Sequence, residues 1–374
     1  MRAECREAST LIHPDPEHVL SFDREGRLYT FYDAGTLYKR ALDSTLHWRR
    51  RKPGGPRERG VLDAGAALEV FARVHAYARR AAGELEADCA ARVRSEILPW
   101  TPERLSGERE RFEAVYRPIA ILPPDQYFSI VVQATEGCTW NKCTFCSFYQ
   151  GRPFHARSAD ELRAHAGAVR EFLGRQLLLR RGVFLADGNA LALSRARLLP
   201  IFEAVREVFP DRKIYGFVDL YSGERHDPAD WGELAGMGLE RVYVGMETGL
   251  DELLAFLNKP GSADELVTFT RQLKAAGVSV GLIVMVGVGG REYRVNHARA
   301  TLAALARMPL DRRDLVYLSP FVEHPGSVYA RERSAAGLTP MDWEEIESET
   351  ARLAGEVRRL GVRAARYDIR EFIY

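Results

Sequence analysis

Three cysteines fall within nine residues of this chain, in the segment Gly137-Cys138-Thr139-Trp140-Asn141-Lys142-Cys143-Thr144-Phe145-Cys146. Thiolates this close, on one loop, can wrap one face of a metal centre. The count is informative. A structural zinc site is closed by four protein ligands. A four-iron cluster held by three cysteines keeps one iron open to an outside ligand. Open coordination marks chemistry rather than scaffolding. His155 stands nine residues after Cys146 and would complete a Cys3His zinc set. Spacing alone therefore leaves zinc and iron–sulfur both open. Cys5 and Cys89 are isolated and read as ordinary thiols, Cys89 on a helix face. An odd count with one tight cluster is not a secreted disulfide framework.

The elements that must position these thiols follow from periodicity. Apolar runs of strand length occur at 128–134, 181–186, 213–219, 240–246, 278–286 and 314–319. Helical patterns separate them at 158–175, 195–208, 228–237, 263–276 and 294–307. Continuous apolar runs read as strands covered on both faces. Their alternation with helices implies parallel strands joined by right-handed crossovers. The expected fold class is α/β, a partial (β/α)6 TIM-like barrel over 126–335. A small α+β accessory region (1–125) precedes it, and a helical extension (336–374) follows. In such sheets function collects where the strands end. The cysteines follow the first strand, and Asp187-Gly188-Asn189 the second. Asp219 and Tyr221 close the third, Glu247-Thr248-Gly249 the fourth. Gly287-Val288-Gly289-Gly290 follow the fifth, and Glu323-His324 the sixth.

With these elements around it, Cys138-x4-Cys143-x2-Cys146, with Phe145 inside the last pair, resembles the cluster motif of the radical S-adenosylmethionine (SAM) superfamily. The common spacing there is three then two; this chain has one residue more in the first gap. The resemblance covers about 128–330. It implies a [4Fe-4S] cluster on Cys138, Cys143 and Cys146, with SAM on the open iron. It also implies one-electron cleavage of SAM to a 5′-deoxyadenosyl radical, which takes hydrogen from a substrate. Carried over residue by residue, Phe145 lies where the family contacts adenine. Asp187, Gly188 and Asn189 stand where the methionyl ammonium is received. Glu247 resembles the fourth-strand polar residue at the ribose or methionine. The run Ile283 to Gly290, Gly287 included, resembles the fifth-strand glycine motif beside adenine, and Arg157 a basic residue near the SAM carboxylate. An electron donor, ferredoxin or flavodoxin, is the implied partner. No second cysteine cluster and no recognisable cobalamin domain accompany the motif.

Elementary chemistry agrees with each placement. An ammonium needs an acceptor such as Asp187 or Asn189, and ribose hydroxyls suit a carboxylate. Flat adenine needs backbone-level approach, which glycine allows. Phe145 or Tyr149 would keep water from a radical. Glu323, His324, Tyr221 and Tyr317 are the candidates for substrate contact or proton transfer, a task that suits histidine near neutrality. Plainer readings stand beside these. Asp187-Gly188-Asn189 would make a good turn, Thr248 and Asp251 are cap residues, His297 is a helix-face residue, and Met246 and Met285 are core filler.

Composition sets outer limits. The chain has 374 residues, a formal net charge of +1, 46% apolar and 28% charged residues. This excludes a disordered or low-complexity protein and wholesale nucleic-acid binding by charge. No apolar stretch is long enough for a membrane helix. The charged N-terminus carries no secretory signal, so a cytoplasmic location is expected. Only six of the 53 basic residues are lysine, so abundant arginine is a bias of composition. The stretch 49–59 (RRRKPGGPRER) reads as an exposed loop. RNA contact there, with Trp48 stacking, belongs to the alternative reading of a zinc-stabilised binding protein. A degenerate barrel keeping its cluster for structure or electron transfer is the third.

Overall fold

The computed structural model describes residues 1–51, 57–223 and 226–374. They divide into two compact units. One comprises Met1–Pro118 with Gly167–Arg180 and Ile373–Tyr374; the other comprises Ile119–Ala166 and Arg181–Phe372.

The first unit is built on a seven-stranded antiparallel meander. Its strands are β1 (Arg2–Cys5), β2 (Ser9–Asp15), β3 (His18–Asp23), β4 (Leu28–Asp33), β5 (Thr36–Arg40), β6 (Leu46–Arg51) and β7 (Arg57–Val61). Alternation puts Ile12, Leu20, Phe31 and Leu46 on one face. There they pack with Phe71, Val74 and Ala78 of the helix Ala64–Glu84. Gly26, at φ +89° in the β3–β4 turn, is required: a Cβ there would lie 1.9 Å from the Glu96 carbonyl oxygen. Arg27 is buried and bonds Asp23 and Glu108 at 3.0 Å each, and donates to the carbonyls of Phe172 and Leu173.

Four expectations for this unit change. The sheet, at seven strands, is larger than a small α+β accessory region implied. The basic stretch is not simply a loop: Arg49–Arg51 pair with Arg57–Arg59 across β6 and β7, and 52–56 lie outside the described residues. A helix, Pro102–Val115, stands in a region whose prolines (99, 102, 118, 123 and 124) ordinarily favour irregular chain. Pro102 starts it, because proline's missing N–H is unneeded in the first turn, and Thr101 caps it. Cys5 and Cys89 are joined as a disulfide, with Cα atoms 5.9 Å apart; 84 residues of separation hid the pairing.

The second unit holds a parallel sheet of seven strands. They are β8 (Ile130–Gln133), β11 (Val183–Ala186), β12 (Ile214–Phe217), β13 (Leu239–Glu247), β14 (Ser279–Val286), β15 (Leu315–Pro320) and β16 (Arg363–Arg366). A two-stranded antiparallel ribbon, β9 (Thr135–Glu136) with β10 (His155–Ala156), follows β8. Sheet order is β16-β15-β14-β13-β12-β11-β8, which is the α/β partial barrel expected, with one strand more. The extra strand, β16, comes from the segment read as a helical extension. That segment does form a long helix, Trp343–Arg359, started by a capping box of Asp342 and Glu345, and then returns beside β15. The run RAAR of β16 is too short and polar to have signalled a strand. Among the described residues no helix is long and apolar enough to cross a membrane.

Candidate active site

The cysteine loop leaves the end of β8 and is fastened on several sides. Thr144 N–H donates to the Leu257 carbonyl (3.1 Å), and Tyr329 N–H to the Thr144 carbonyl (3.0 Å). Trp140 Nε1 donates to the Asn258 carbonyl (2.8 Å), and Asn258 Nδ2 to the Lys142 carbonyl (2.9 Å). Asn141 Nδ2 donates to the Tyr149 carbonyl (2.9 Å). Phe145 packs on an apolar cluster of Leu253, Leu257, Met285, Val288 and Tyr329. Cys138, Cys143 and Cys146 are free thiols, each partly buried. Burial pushes the Cys143 thiol up to about 12 and raises Cys146 as well; metal ligation would deprotonate such thiols outright.

At the end of β11, Asp187 is 3% exposed. Its N–H donates to Thr135, and its carboxylate faces Tyr149 OH (3.4 Å) and Arg152 Nη1 (3.6 Å). Burial pushes it up to about 7, against the pull of Arg152. Gly188 lets Tyr149 close in: a Cβ there would lie 2.5 Å from the ring. Asn189 is committed elsewhere. Its Nδ2 bonds Asp219 and Thr139, and its Oδ1 accepts from Asp219 N–H (2.9 Å). Asp219 in turn accepts from Ser222 N–H (2.6 Å). This knot joins the cysteine loop to the ends of β11 and β12.

Glu247 ends β13 beyond a register shift between Gly245 and Glu247, at φ +56°. Lys259 Nζ donates to its Oε1 at 3.1 Å, and both side chains are largely buried. Burial disfavours the Lys259 charge, but the Glu247 carboxylate beside it outweighs this and raises the ammonium above its usual range. Gly245 makes room, since a Cβ there would be 2.2 Å from Glu247 Oε1 and 2.9 Å from Lys259 Nζ. The turn is braced from behind by the helix Gly290–Ala306. His297 Nδ1 and Thr248 Oγ1 share a 2.7 Å hydrogen bond, and Thr301 accepts from Gly249 N–H (2.9 Å). Burial pushes His297 down to about 4, so it is a neutral brace. After β14, Gly287 lies at φ +94°, and Gly289 N–H donates to Tyr329 OH (2.9 Å).

Of the other expected residues, Tyr221 alone meets the cysteine loop. Arg157 is spent on the Gln133 carbonyl (2.9 Å) and on Glu136 (3.4 Å). Tyr317 lies inside the sheet and donates to Asp125 (2.6 Å), before the start of β8; its place mid-strand, not at the strand end, puts it there. Glu323 is bound by Arg333 (2.7 Å), while His324 is exposed. Tyr221 is 48% exposed beside Trp140. His155 is exposed on β10, opposite Glu136. Among the described residues no three or more His, Cys, Asp or Glu are gathered closely enough to hold a metal ion, whether the three thiols alone or with His155. Sequence reading missed Lys259 and Arg152. Lys259 did carry a signal, being one of six lysines in a chain that otherwise uses arginine.

The family model of the Radical SAM superfamily matches residues 132–300. No curated protein matches the chain. Among solved structures, coproporphyrinogen III oxidase from Escherichia coli, a radical SAM enzyme, is similar at TM-score 0.47 and 15% identity, over 68% of this chain and 56% of that one. Methylornithine synthase is similar at TM-score 0.44 and 16% identity, over 81% and 85%. The cobalamin-dependent SAM radical enzyme OxsB is similar at 0.42 and 13%, over 80% and 36%. The chain spans 36–56% of the length of the first three structures matched. The family implies a [4Fe-4S] cluster and SAM. The donor set fits them in kind: three free thiols on one loop, with a buried Thr144 hydroxyl that finds no hydrogen-bond partner among the described residues. Residues 132–300, the cysteine loop included, carry the match to the radical SAM superfamily.

Proposed function

We propose that the rim of the parallel sheet binds SAM on a three-cysteine cluster and opens onto a substrate yet to be identified. When bound, these groups supply a one-electron cleavage of SAM and a carbon-centred radical that removes hydrogen from substrate. Cys138, Cys143 and Cys146 hold the cluster. Asp187, once ionised, receives the ammonium, and Tyr149 with Arg152 sets its orientation. Glu247, anchored through one oxygen by Lys259, offers the other to ribose hydroxyls. Gly287 and the following backbone lie against adenine, with Phe145 and its apolar cluster excluding water. Asn189 and Arg157 brace the loop rather than touch SAM. Glu323 and His324 remain the rim groups offered to substrate. The electron comes from a ferredoxin or flavodoxin.

One observation carries this reading: three free thiols on a fastened loop, beside a buried ion pair at the end of β13. Anaerobic protein given iron, sulfide and dithionite should release 5′-deoxyadenosine from SAM. Zinc-loaded, colourless protein after iron-replete anaerobic expression would contradict it.

A further inference from the structure

An electron must enter the cysteine loop from solvent, and the arc between the first two cysteines faces solvent, as do Ser147, Gln150 and Gly151 beyond the third. Thr139, Asn141 and Lys142 are exposed and Trp140 half-buried, all between Cys138 and Cys143. Phe145 and Tyr149 turn inward. On the arc, Lys142 Nζ sits 5.2 Å from the centre of the Trp140 ring, a cation–π arrangement. Tyr221, from the turn after β12, lies 6.1 Å from the same ring. Asn258 holds the arc on both sides of Asn141, its carbonyl accepting from the Trp140 indole and its amide donating to the Lys142 carbonyl. From Gly137 to Gly151 the loop has one cation and no carboxylate, and Lys142 has no carboxylate partner among the described residues. The extra residue of the first cysteine gap falls within this arc.

We infer that Trp140, Lys142 and Tyr221 form the docking surface for a small acidic protein that carries one electron at a time. This rests on the cluster assignment above. Electron-transfer encounters use small, transient interfaces. Exposed aromatics with a rim cation suit them, because the aromatics supply contact energy and the cation governs association rate. Charge steering of this kind weakens with salt.

The test separates docking from chemistry. Cluster bleaching is followed by anaerobic stopped flow after mixing with photoreduced flavodoxin, reduced ferredoxin or dithionite. Lys142→Glu should slow reduction by at least one of the two carriers about tenfold at low ionic strength. The deficit should shrink as salt rises, and Lys142→Arg should restore the rate. Reduction by dithionite should stay within about twofold of wild type, since a small ion needs no protein interface. Wild-type rates with both carriers in Lys142→Glu, or carrier rates insensitive to salt, would overturn the inference. So would equal losses with carriers and dithionite, which would place Lys142 in the loop's structure. If dithionite reduces no cluster in the wild type, the failure belongs to the cluster reading itself.

Discussion

The two ends of the parallel sheet treat polar side chains in opposite ways. At the amino ends of the strands, Asp125 accepts from Tyr243 OH (2.6 Å), Tyr317 OH (2.6 Å), Arg241 Nη1 (2.8 Å) and Gln126 Nε2 (3.0 Å). Oδ2 takes three of these bonds and Oδ1 the fourth, so both oxygens are engaged by the protein's own donors. At the carboxyl ends the polar groups are held but not exhausted. Asp187 has two long contacts, Glu247 has one oxygen bound and one spare, and three thiols stand free. A satisfied polar cluster stabilises a fold; a positioned, half-satisfied one is kept for a ligand.

That contrast can be broken by substitution. The largest effect belongs to Cys143→Ala, which should abolish both iron content and SAM cleavage. Next is Lys259→Met, which strands a buried carboxylate. It should cost about 3–5 kcal/mol of stability and weaken SAM binding more than tenfold, by denaturant melts and equilibrium titration. At the saturated end, Tyr317→Phe removes a hydrogen bond to a charged acceptor. It should cost about 2 kcal/mol while leaving SAM affinity unchanged; a change in affinity there would erase the distinction between the two ends.

The smallest effect is a pH dependence. The Asp187 carboxyl is raised from 3.8 to about 7 by burial, so its neutral form is favoured in the folded state. Stability from this group is therefore greatest below its unfolded value and declines as pH rises toward 7. SAM affinity moves the other way, strengthening as the carboxylate forms. Asp187→Asn should flatten both slopes and weaken SAM binding several-fold above neutrality. An unchanged affinity profile in that variant would remove Asp187 from the ammonium's site.

Much of this was legible in the sequence because it obeys local rules. Six strand-length apolar runs gave β8 and β11 to β15, and the rim residues fell at their ends. What the sequence concealed is long-range. Lys259 reaches Glu247 across the helix Asp251–Phe256, a contact that no periodicity encodes. Asn189 looked like an ammonium acceptor until Asp219 and Thr139 were seen to occupy it. Tyr317 looked like a rim residue until its phenol was found on Asp125, one strand length away. The strand β16 has no apolar signature, since an edge strand half covered by a helix needs little. The Cys5–Cys89 bond joins residues whose own neighbourhoods give no hint of each other.

The claim beneath the whole account is that the protein leaves one iron without a protein ligand. Electron paramagnetic resonance of the dithionite-reduced, anaerobic protein, recorded with and without SAM, tests it most directly. The account predicts about four irons per chain and a spectrum that shifts when SAM is added, in wild type and not in Cys143→Ala. A four-iron spectrum indifferent to saturating SAM would mean that a side chain fills the last position, and would contradict it.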